Sequence, residues 1–160
     1  MNRQPHQPSQ YELLTYDGNE MSTAVIPHAE LDRIDTTALD HFHSRSLGVF
    51  GFRAASGDWV EHHGRWPLIG PKALAILEAI QLNPGIYLDP RTIAQITGFE
   101  SLYNGATLAT RILKLREAHK EKGRPRFFKT IRAGGYRVCW PKERTWMWLE
   151  MIPASVAVSA

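Results

Sequence analysis

The sequence predicts an α+β fold with a three-helix core, a leading antiparallel β-sheet and a C-terminal β-hairpin. The first observation is an amphipathic period over residues 105–119, whose inward stripe carries Leu108, Ile112, Leu115 and His119. The second is a pair of short strand-like runs in residues 127–138, which turn back at residues 133–135. The third is a series of strand and turn signals over residues 47–68, followed by two further helix signals.

Residues 47–68 predict the leading sheet. The run LGVFGFRA is rich in strand-forming residues, and Gly57 with Asp58 predicts a turn after it. The next residues predict a hairpin with strands at 59–61 and 65–68, which turns at residues 63–64.

The first helix is predicted to begin at Pro71, because proline suits the first turn of a helix. The run Asn-Pro-Gly at residues 83–85 ends it. Its inward face consists of four apolar residues at helical spacing: Ala73, Ile76, Leu77 and Ile80.

The second helix is predicted to begin after Asp89, a favourable N-cap residue that precedes Pro90. It ends at Gly98, and we expect Ile93 and Ile96 to point inward.

The third helix follows a short linker, with Asn104 as its predicted N-cap. Its outer side is small, hydroxylated and cationic. Two helices joined by a short turn, the second with exposed cations, form a helix-turn-helix. With the terminal hairpin as a wing, the expected fold is a winged helix-turn-helix.

Composition divides the chain into three parts. Residues 1–45 are predicted to be an acidic, partly disordered leader, since they carry three basic and seven acidic residues and begin with a Pro- and Gln-rich run. The one element expected there is a short helix within residues 28–41. Residues 46–142 are the expected winged-helix domain, and residues 143–160 are a Trp-rich C-terminal extension.

Positive charge is concentrated in residues 101–142, which hold eleven Lys and Arg against two Glu, whereas the whole chain has a net charge of only +3. Such local cationic density is typical of a surface that binds a phosphate backbone. We therefore expect double-stranded DNA as the partner.

The candidate DNA-binding residues fall into three groups. On the outer side of the third helix, four residues are candidates for contact with base edges: Thr107, Thr110, Arg111 and Lys114. Arg116 lies further round and is expected either to reach phosphate or to pair with a neighbour. Phosphate contact is expected for cations in the connection and at the start of the wing: Lys120, Lys122, Arg124, Arg126 and Lys129. Candidates for phosphate or minor-groove contact in the wing are Thr130, Arg132 and Tyr136, although Tyr136 is equally suited to packing.

Residues 68–138 resemble the winged-helix effector domain of OmpR/PhoB-type response regulators. The matching segments are LIGPKALAILEAIQLNPG as first helix and turn, DPRTIAQITG as positioning helix, TLATRILKLREA as recognition helix and FFKTIRAGGYRV as wing. The wing is the most specific, because the family commonly has a hydroxyl, an apolar residue, Arg, two small residues around Gly, and Gly-Tyr-Arg. The resemblance covers roughly half of the chain, or nearer two-thirds if the strands from Leu47 belong to the family's leading sheet.

The resemblance implies a DNA-binding transcriptional regulator whose recognition helix faces the major groove. Two departures from the family matter. Leu113 stands where the family often has a basic residue, which affects the target sequence. No receiver domain is recognisable before the effector segment, so we expect any phosphorelay control to come from another protein. RNA polymerase and a second copy of the chain are further candidate partners.

Other function classes have weaker support. His41, His43, His62 and His63 lack the spaced Cys or His pairs of a metal site, so no metal or other cofactor is expected. The sequence contains no phosphate-binding glycine loop, nucleophile elbow or spaced carboxylate pair, so we expect no enzyme activity. A single cysteine, Cys139, and the absence of a signal-peptide core or an apolar span predict a cytoplasmic protein, associated with the nucleoid when bound to DNA.

The C-terminal aromatic cluster leaves two alternatives open. Trp140, Trp146, Met147, Trp148 and Met151 are expected either to pack back on the domain or to form a partner surface. The second alternative predicts a different function, in which the chain is a protein-interaction module that docks a polymerase or replication protein.

Overall fold

The computed structural model describes residues 9–54, 56–64, 70–119 and 128–153. Within them the chain forms eight strands, three α-helices and two short 3-10 helices. The strands are β1 (Gln10–Tyr16), β2 (Met21–Pro27), β3 (His41–Ser44), β4 (Val49–Arg53), β5 (Trp59–His63), β6 (Lys129–Ile131), β7 (Arg137–Cys139) and β8 (Trp146–Met151). The helices are α1 (Gly70–Gln81), α2 (Pro90–Thr97) and α3 (Gly105–Ala118), and the 3-10 helices are His28–Arg33 and Glu100–Tyr103.

Six strands form one sheet in the order β2-β1-β8-β3-β4-β5, and β6 pairs with β7 in a separate hairpin. All neighbouring strands are antiparallel except β3 and β8, which are parallel. The predicted α+β class is confirmed. The sheet is larger than the expected leading sheet, and it is mixed rather than purely antiparallel.

The sheet joins segments that were expected to belong to different parts of the chain. Strands β1, β2 and β3 come from the expected leader, and β8 comes from the expected C-terminal extension. Residues 9–45 are therefore not a partly disordered leader, whereas residues 1–8 lie outside the described residues. The expected helix within residues 28–41 is only the 3-10 helix His28–Arg33.

Strand β1 was missed because both of its faces are covered. Tyr11 packs in the apolar cluster on one side of the sheet, and Tyr16 packs in the cluster on the other side. A strand that is covered on both faces lacks the alternation of apolar and polar residues that marks a half-buried strand.

The C-terminal tryptophans lie mainly in the protein core. Of the two alternatives for this cluster, packing back on the domain is therefore the one observed. Trp140 and Trp146 are fully buried. Trp146 stacks on Trp148 with ring centroids 4.5 Å apart, and the indole of Trp148 donates a hydrogen bond of 2.8 Å to the buried Gln81 of α1. Strand β8 thus links the sheet to the helices.

Most of the helix predictions are confirmed. The four inward residues expected on the first helix are all buried: Ala73, Ile76, Leu77 and Ile80. The carboxylate of Asp89 caps α2 by accepting a 2.8 Å hydrogen bond from the backbone N–H of Thr92, and Gly98 ends that helix with φ of 76°. Ile96 is a wrong prediction, since it is 48% exposed. The short helix α2 packs through Ile93 and Ala94, and Ile96 lies on another side of it.

The predicted strand over residues 47–54 is confirmed as β4, and the first strand of the predicted hairpin is β5. The second strand of that hairpin, expected at residues 65–68, lies outside the described residues.

A chain of polar contacts runs from the core to the surface between the sheet and α1. His41 Nε2 lies 2.9 Å from His43 Nδ1, and His43 Nε2 lies 3.0 Å from Glu78 Oε2. Arg45 donates a 2.8 Å hydrogen bond to the other oxygen of Glu78. Burial alone would raise the pKa of Glu78, but the hydrogen bond from His43 and the charges of His43 and Arg45 lower it.

A third buried histidine, His119, lies at the C-terminal end of α3 and packs against the sheet. Its ring lies 4.9 Å from the ring of Phe52 and 5.9 Å from that of His41, measured between centroids. Burial lowers the pKa of His119 to about 4, although a hydrogen bond to the carbonyl of Leu115 opposes this shift. Burial also lowers the pKa of His41, together with the charges of His43 and His119.

We expect acid to destabilise the fold through these histidines. An unfolded histidine takes up its proton near pH 6.5, whereas folded His119 does so near pH 4, so the unfolded state binds more protons between these values. The stabilisation is complete above pH 6.5 and is lost as pH falls toward 4. His119 alone accounts for about 3 kcal/mol of this loss, at about 1.4 kcal/mol per pKa unit.

Urea unfolding measured between pH 7 and pH 4.5 tests this expectation. His119→Phe should flatten the pH dependence, whereas His63→Gln, on an exposed side chain, should leave it unchanged. An unchanged pH dependence in His119→Phe would contradict the assignment of the acid sensitivity to His119.

Candidate nucleic-acid interface

Helix α3 begins at the predicted cap. The side-chain oxygen of Asn104 accepts hydrogen bonds from the backbone N–H groups of Ala106, at 2.8 Å, and Thr107, at 3.4 Å. A short polar side chain with extended backbone satisfies N–H groups that the first helical turn leaves without partners. The cap therefore fixes where the outer face of α3 begins.

One side of α3 is buried and the other faces solvent. The predicted inward stripe is confirmed, because all four of its residues are buried: Leu108, Ile112, Leu115 and His119. Of the residues expected on the outer side, Thr110 and Lys114 are exposed, whereas Thr107 and Arg111 are half-buried. The hydroxyl of Thr110 donates a 3.0 Å hydrogen bond to the carbonyl of Ala106, so its oxygen is oriented by the helix itself.

Leu113 lies on the same exposed side of α3, next to the cationic residues. Its side chain is 55% exposed. The exposed surface of α3 thus combines two cations, hydroxyl groups and one apolar side chain.

Strands β6 and β7 form the predicted hairpin beyond α3. Gly134 and Gly135 have φ of 74° and 115°, which places the tip in a backbone region that favours glycine. Arg137 donates a 3.2 Å hydrogen bond across the turn to the carbonyl of Ala133. The guanidinium of Arg132 lies 5.7 Å from the ring centroid of the half-buried Tyr136. Arg132 and Lys129 are both exposed.

Arg116 connects α3 to this hairpin. Its guanidinium donates a 3.0 Å hydrogen bond to the hydroxyl of Thr130, and it lies 5.6 Å from the ring centroid of Phe128. Of the two expectations for Arg116, pairing with a neighbour is the one observed. Thr130 is half-buried and its hydroxyl accepts this bond, so both residues position the hairpin relative to α3.

The hairpin is also attached to the helices at its other strand. Leu88 and Val138 form an antiparallel bridge with backbone hydrogen bonds of 2.8 and 3.0 Å. This bridge joins the residue before Asp89 to the hairpin. Tyr136 packs near the start of α3, since a Cβ placed on Gly105 would lie 3.9 Å from its Cβ. The β6–β7 hairpin therefore has a defined position beside α3.

Two cations of this surface were not among the candidates. Hydrogen bonds from Thr92 lower the pKa of Asp89, and the positive charges of Arg91 and Arg137 lower it further. Arg91, in the first turn of α2, and Arg137, in β7, therefore lie near the same carboxylate. The predicted helix start at Asp89 implies that Arg91 lies in an exposed first turn. The sequence alone could therefore have identified Arg91 as a candidate.

Four predicted phosphate-binding residues lie outside the described residues: Lys120, Lys122, Arg124 and Arg126. In the part of the chain that is described, His, Cys, Asp and Glu form no group of three that is arranged to hold a metal ion. None of the described helices is both long enough and apolar enough to cross a membrane.

Comparison of the chain with protein-family models, with curated proteins and with solved structures gives no match.

We expect Arg116 to determine how firmly the β6–β7 hairpin is held beside α3. Arg116→Ala removes a hydrogen bond from a charged donor, a type that contributes about 1.5–3 kcal/mol. Amide hydrogen exchange in β6 and β7 should become roughly tenfold faster, since about 1.4 kcal/mol corresponds to a factor of ten. Lys114→Ala, on the exposed side of the same helix, is the control and should leave this exchange unchanged. Equal exchange in both variants would contradict the role of Arg116.

Proposed function

We propose that this protein binds double-stranded DNA sequence-specifically through a winged helix-turn-helix and regulates transcription. In this proposal α1 is the core helix, α2 positions α3, α3 is the recognition helix, and the β6–β7 hairpin is the wing. The observation that carries the proposal is the two-sidedness of α3, which buries an apolar stripe and presents hydroxyl and cationic groups on its other side.

The dimensions of α3 suit the major groove. The helix has 14 residues and is about 21 Å long at 1.5 Å per residue. A B-DNA major groove admits an α-helix, and recognition helices contact bases mainly through their N-terminal residues. Thr107, Thr110 and Arg111 lie in the first two turns of α3, which supports their assignment as base-contacting residues.

The side chains of α3 suggest specific contacts with base edges. Arg111 and Lys114 would donate hydrogen bonds to the O6 and N7 atoms of guanine. The exposed Leu113 would make an apolar contact with the methyl group of thymine, the kind of contact that apolar side chains make in this groove. A basic residue at position 113 would instead favour guanine, so Leu113 shifts the preferred site toward thymine at one position.

The wing would supply contacts that hold the protein on the duplex. Lys129 and Arg132 are exposed and would bind phosphate, and Tyr136 would lie beside the backbone. Thr130 and Arg116 would act indirectly, because their hydrogen bond sets the position of the hairpin. Arg91, at the start of α2, is a further candidate for phosphate contact.

The protein would act in the cytoplasm, on the nucleoid, with RNA polymerase as a candidate partner in regulation. The alternative function, a docking module that uses the C-terminal tryptophans, has less support. Trp140 and Trp146 are fully buried and thus hold the core together.

Two substitutions distinguish base contact from phosphate contact. Arg111→Ala should cost about 1–3 kcal/mol on the preferred site and relax specificity at one base position. Lys129→Ala should weaken binding to all sequences alike, and it should reduce the log–log salt slope by about one. Fluorescence anisotropy with preferred and scrambled duplexes, over a series of salt concentrations, measures both quantities.

Arg33→Ala is the matched control, because it removes an exposed cation from the 3-10 helix His28–Arg33, outside the helix-and-wing surface. It should change neither affinity nor slope. A salt-independent affinity, or equal losses in Arg111→Ala and Lys129→Ala on every duplex, would contradict the proposal.

A further inference from the structure

Strand β2 forms one edge of the six-stranded sheet. Among the described residues, β1 is the only strand that pairs with it, residue for residue and without a bulge. Its sequence, MSTAVIP, has no charged residue, and Val25 is 58% exposed. Native edge strands are usually protected by charges, bulges or short length, because exposed N–H and C=O groups attract another strand.

Among the described strands, the one at the opposite end of the sheet differs from β2 in this respect. Strand β5 carries Glu61 and His63, whose side chains lie 3.2 Å apart. Charged side chains are a usual protection of an edge strand. The difference in charge between the two edges marks β2 as the strand that is suited to pairing.

The hydrogen bonds to β1 show which backbone groups of β2 face outward. His28 N–H donates to Ser9 C=O, and Glu20 C=O accepts from Asp17 N–H. Since directions alternate along a strand, Ser22, Ala24 and Ile26 also face β1. Met21, Thr23, Val25 and Pro27 therefore direct their backbone groups away from the sheet. Pro27, which has no N–H, belongs to this outward set, as is usual for proline in edge strands.

We propose that β2 pairs antiparallel with β2 of a second copy of this chain, about a two-fold axis at Ala24. In this register Thr23 of one copy and Val25 of the other exchange two backbone hydrogen bonds, and symmetry repeats them. Each Met21 N–H also donates to the Pro27 carbonyl of the partner strand. The two six-stranded sheets then form one continuous sheet.

This register is favoured by its length and by its charges. It pairs all seven residues of β2 with the same seven residues of the second copy. It also places Glu20 of one copy directly opposite His28 of the other, at both ends of the paired strands. A register centred on Thr23 would instead place Glu20 opposite the apolar Ile26. Because no charged residue lies within β2, no like charges meet in the pairing.

A second copy fits this edge better than an unrelated strand does. A two-fold interface uses the same surface on both partners, so its two sides must complement each other in a single strand. β2 meets that requirement. The outward backbone groups of Thr23 pair with those of Val25 in the second copy, and the flanking Glu20 faces His28 of the second copy. If the proposed DNA-binding function also holds, the dimer would present two α3 helices with two-fold symmetry and favour a palindromic site.

A cysteine on the two-fold axis tests the pairing without DNA. Ala24 of the two copies would form a non-hydrogen-bonded pair with Cα atoms about 4.5 Å apart, within the range that a disulfide spans. Ala24→Cys should therefore give a covalent dimer under mild oxidation. Ser22→Cys lies on the same face of the same strand, but faces Ile26 of the second copy, and should stay unlinked. The native Cys139 is buried.

Absence of the disulfide in Ala24→Cys, or equal cross-linking in Ser22→Cys, would overturn the proposal. Light scattering gives an independent measurement. The unmodified chain should show twice its mass of 18.2 kDa, and the double variant Thr23→Lys, Val25→Lys should show the single mass while keeping its circular dichroism spectrum. A monomeric unmodified chain would equally overturn the pairing. Neither measurement involves DNA, so the pairing and the DNA-binding function can fail separately.

Discussion

The burial of the inner stripe of α3 is the constraint on which the rest of the structure depends. Leu108, Ile112 and Leu115 are removed from water, and His119 closes the stripe against Phe52 of the sheet. A helix with one buried stripe must expose its other side, so the packing itself determines which residues face outward. The cationic and hydroxyl groups that we propose as the DNA-binding face follow from this packing.

The β6–β7 hairpin and the sheet are each linked to the packing of α3. Arg116 extends from the side of α3 and donates a hydrogen bond to Thr130. The helix therefore positions the hairpin that lies beside it. The sheet against which α3 packs is held together by β8, which lies between β1 and β3. Residues far apart in the chain therefore support the surface that we propose for DNA binding, and a change in β8 would be expected to affect α3 through Trp148 and Gln81.

The sequence was sufficient to predict the elements that have a clear period or cap. The stripe of α3, the Asn104 cap and the hairpin after residue 127 all have local signals of this kind, and the structure contains each of them. The six-stranded sheet could not be predicted, because strands covered on both faces lack alternation and because pairing of β1 with β8 is a long-range contact without a local signal. The role of Arg116 depended on three-dimensional proximity to Thr130, which spacing alone does not determine.

Selection of duplexes from a random pool by the unmodified protein tests the central claim most directly. We expect enrichment of one sequence motif, with guanine at one or two positions and loss of preference at one of them in Arg111→Ala. Recovery of a motif would also show whether its two halves are palindromic. A pool that stays random after repeated rounds, or a motif that Arg111→Ala leaves unchanged, would contradict sequence recognition by α3.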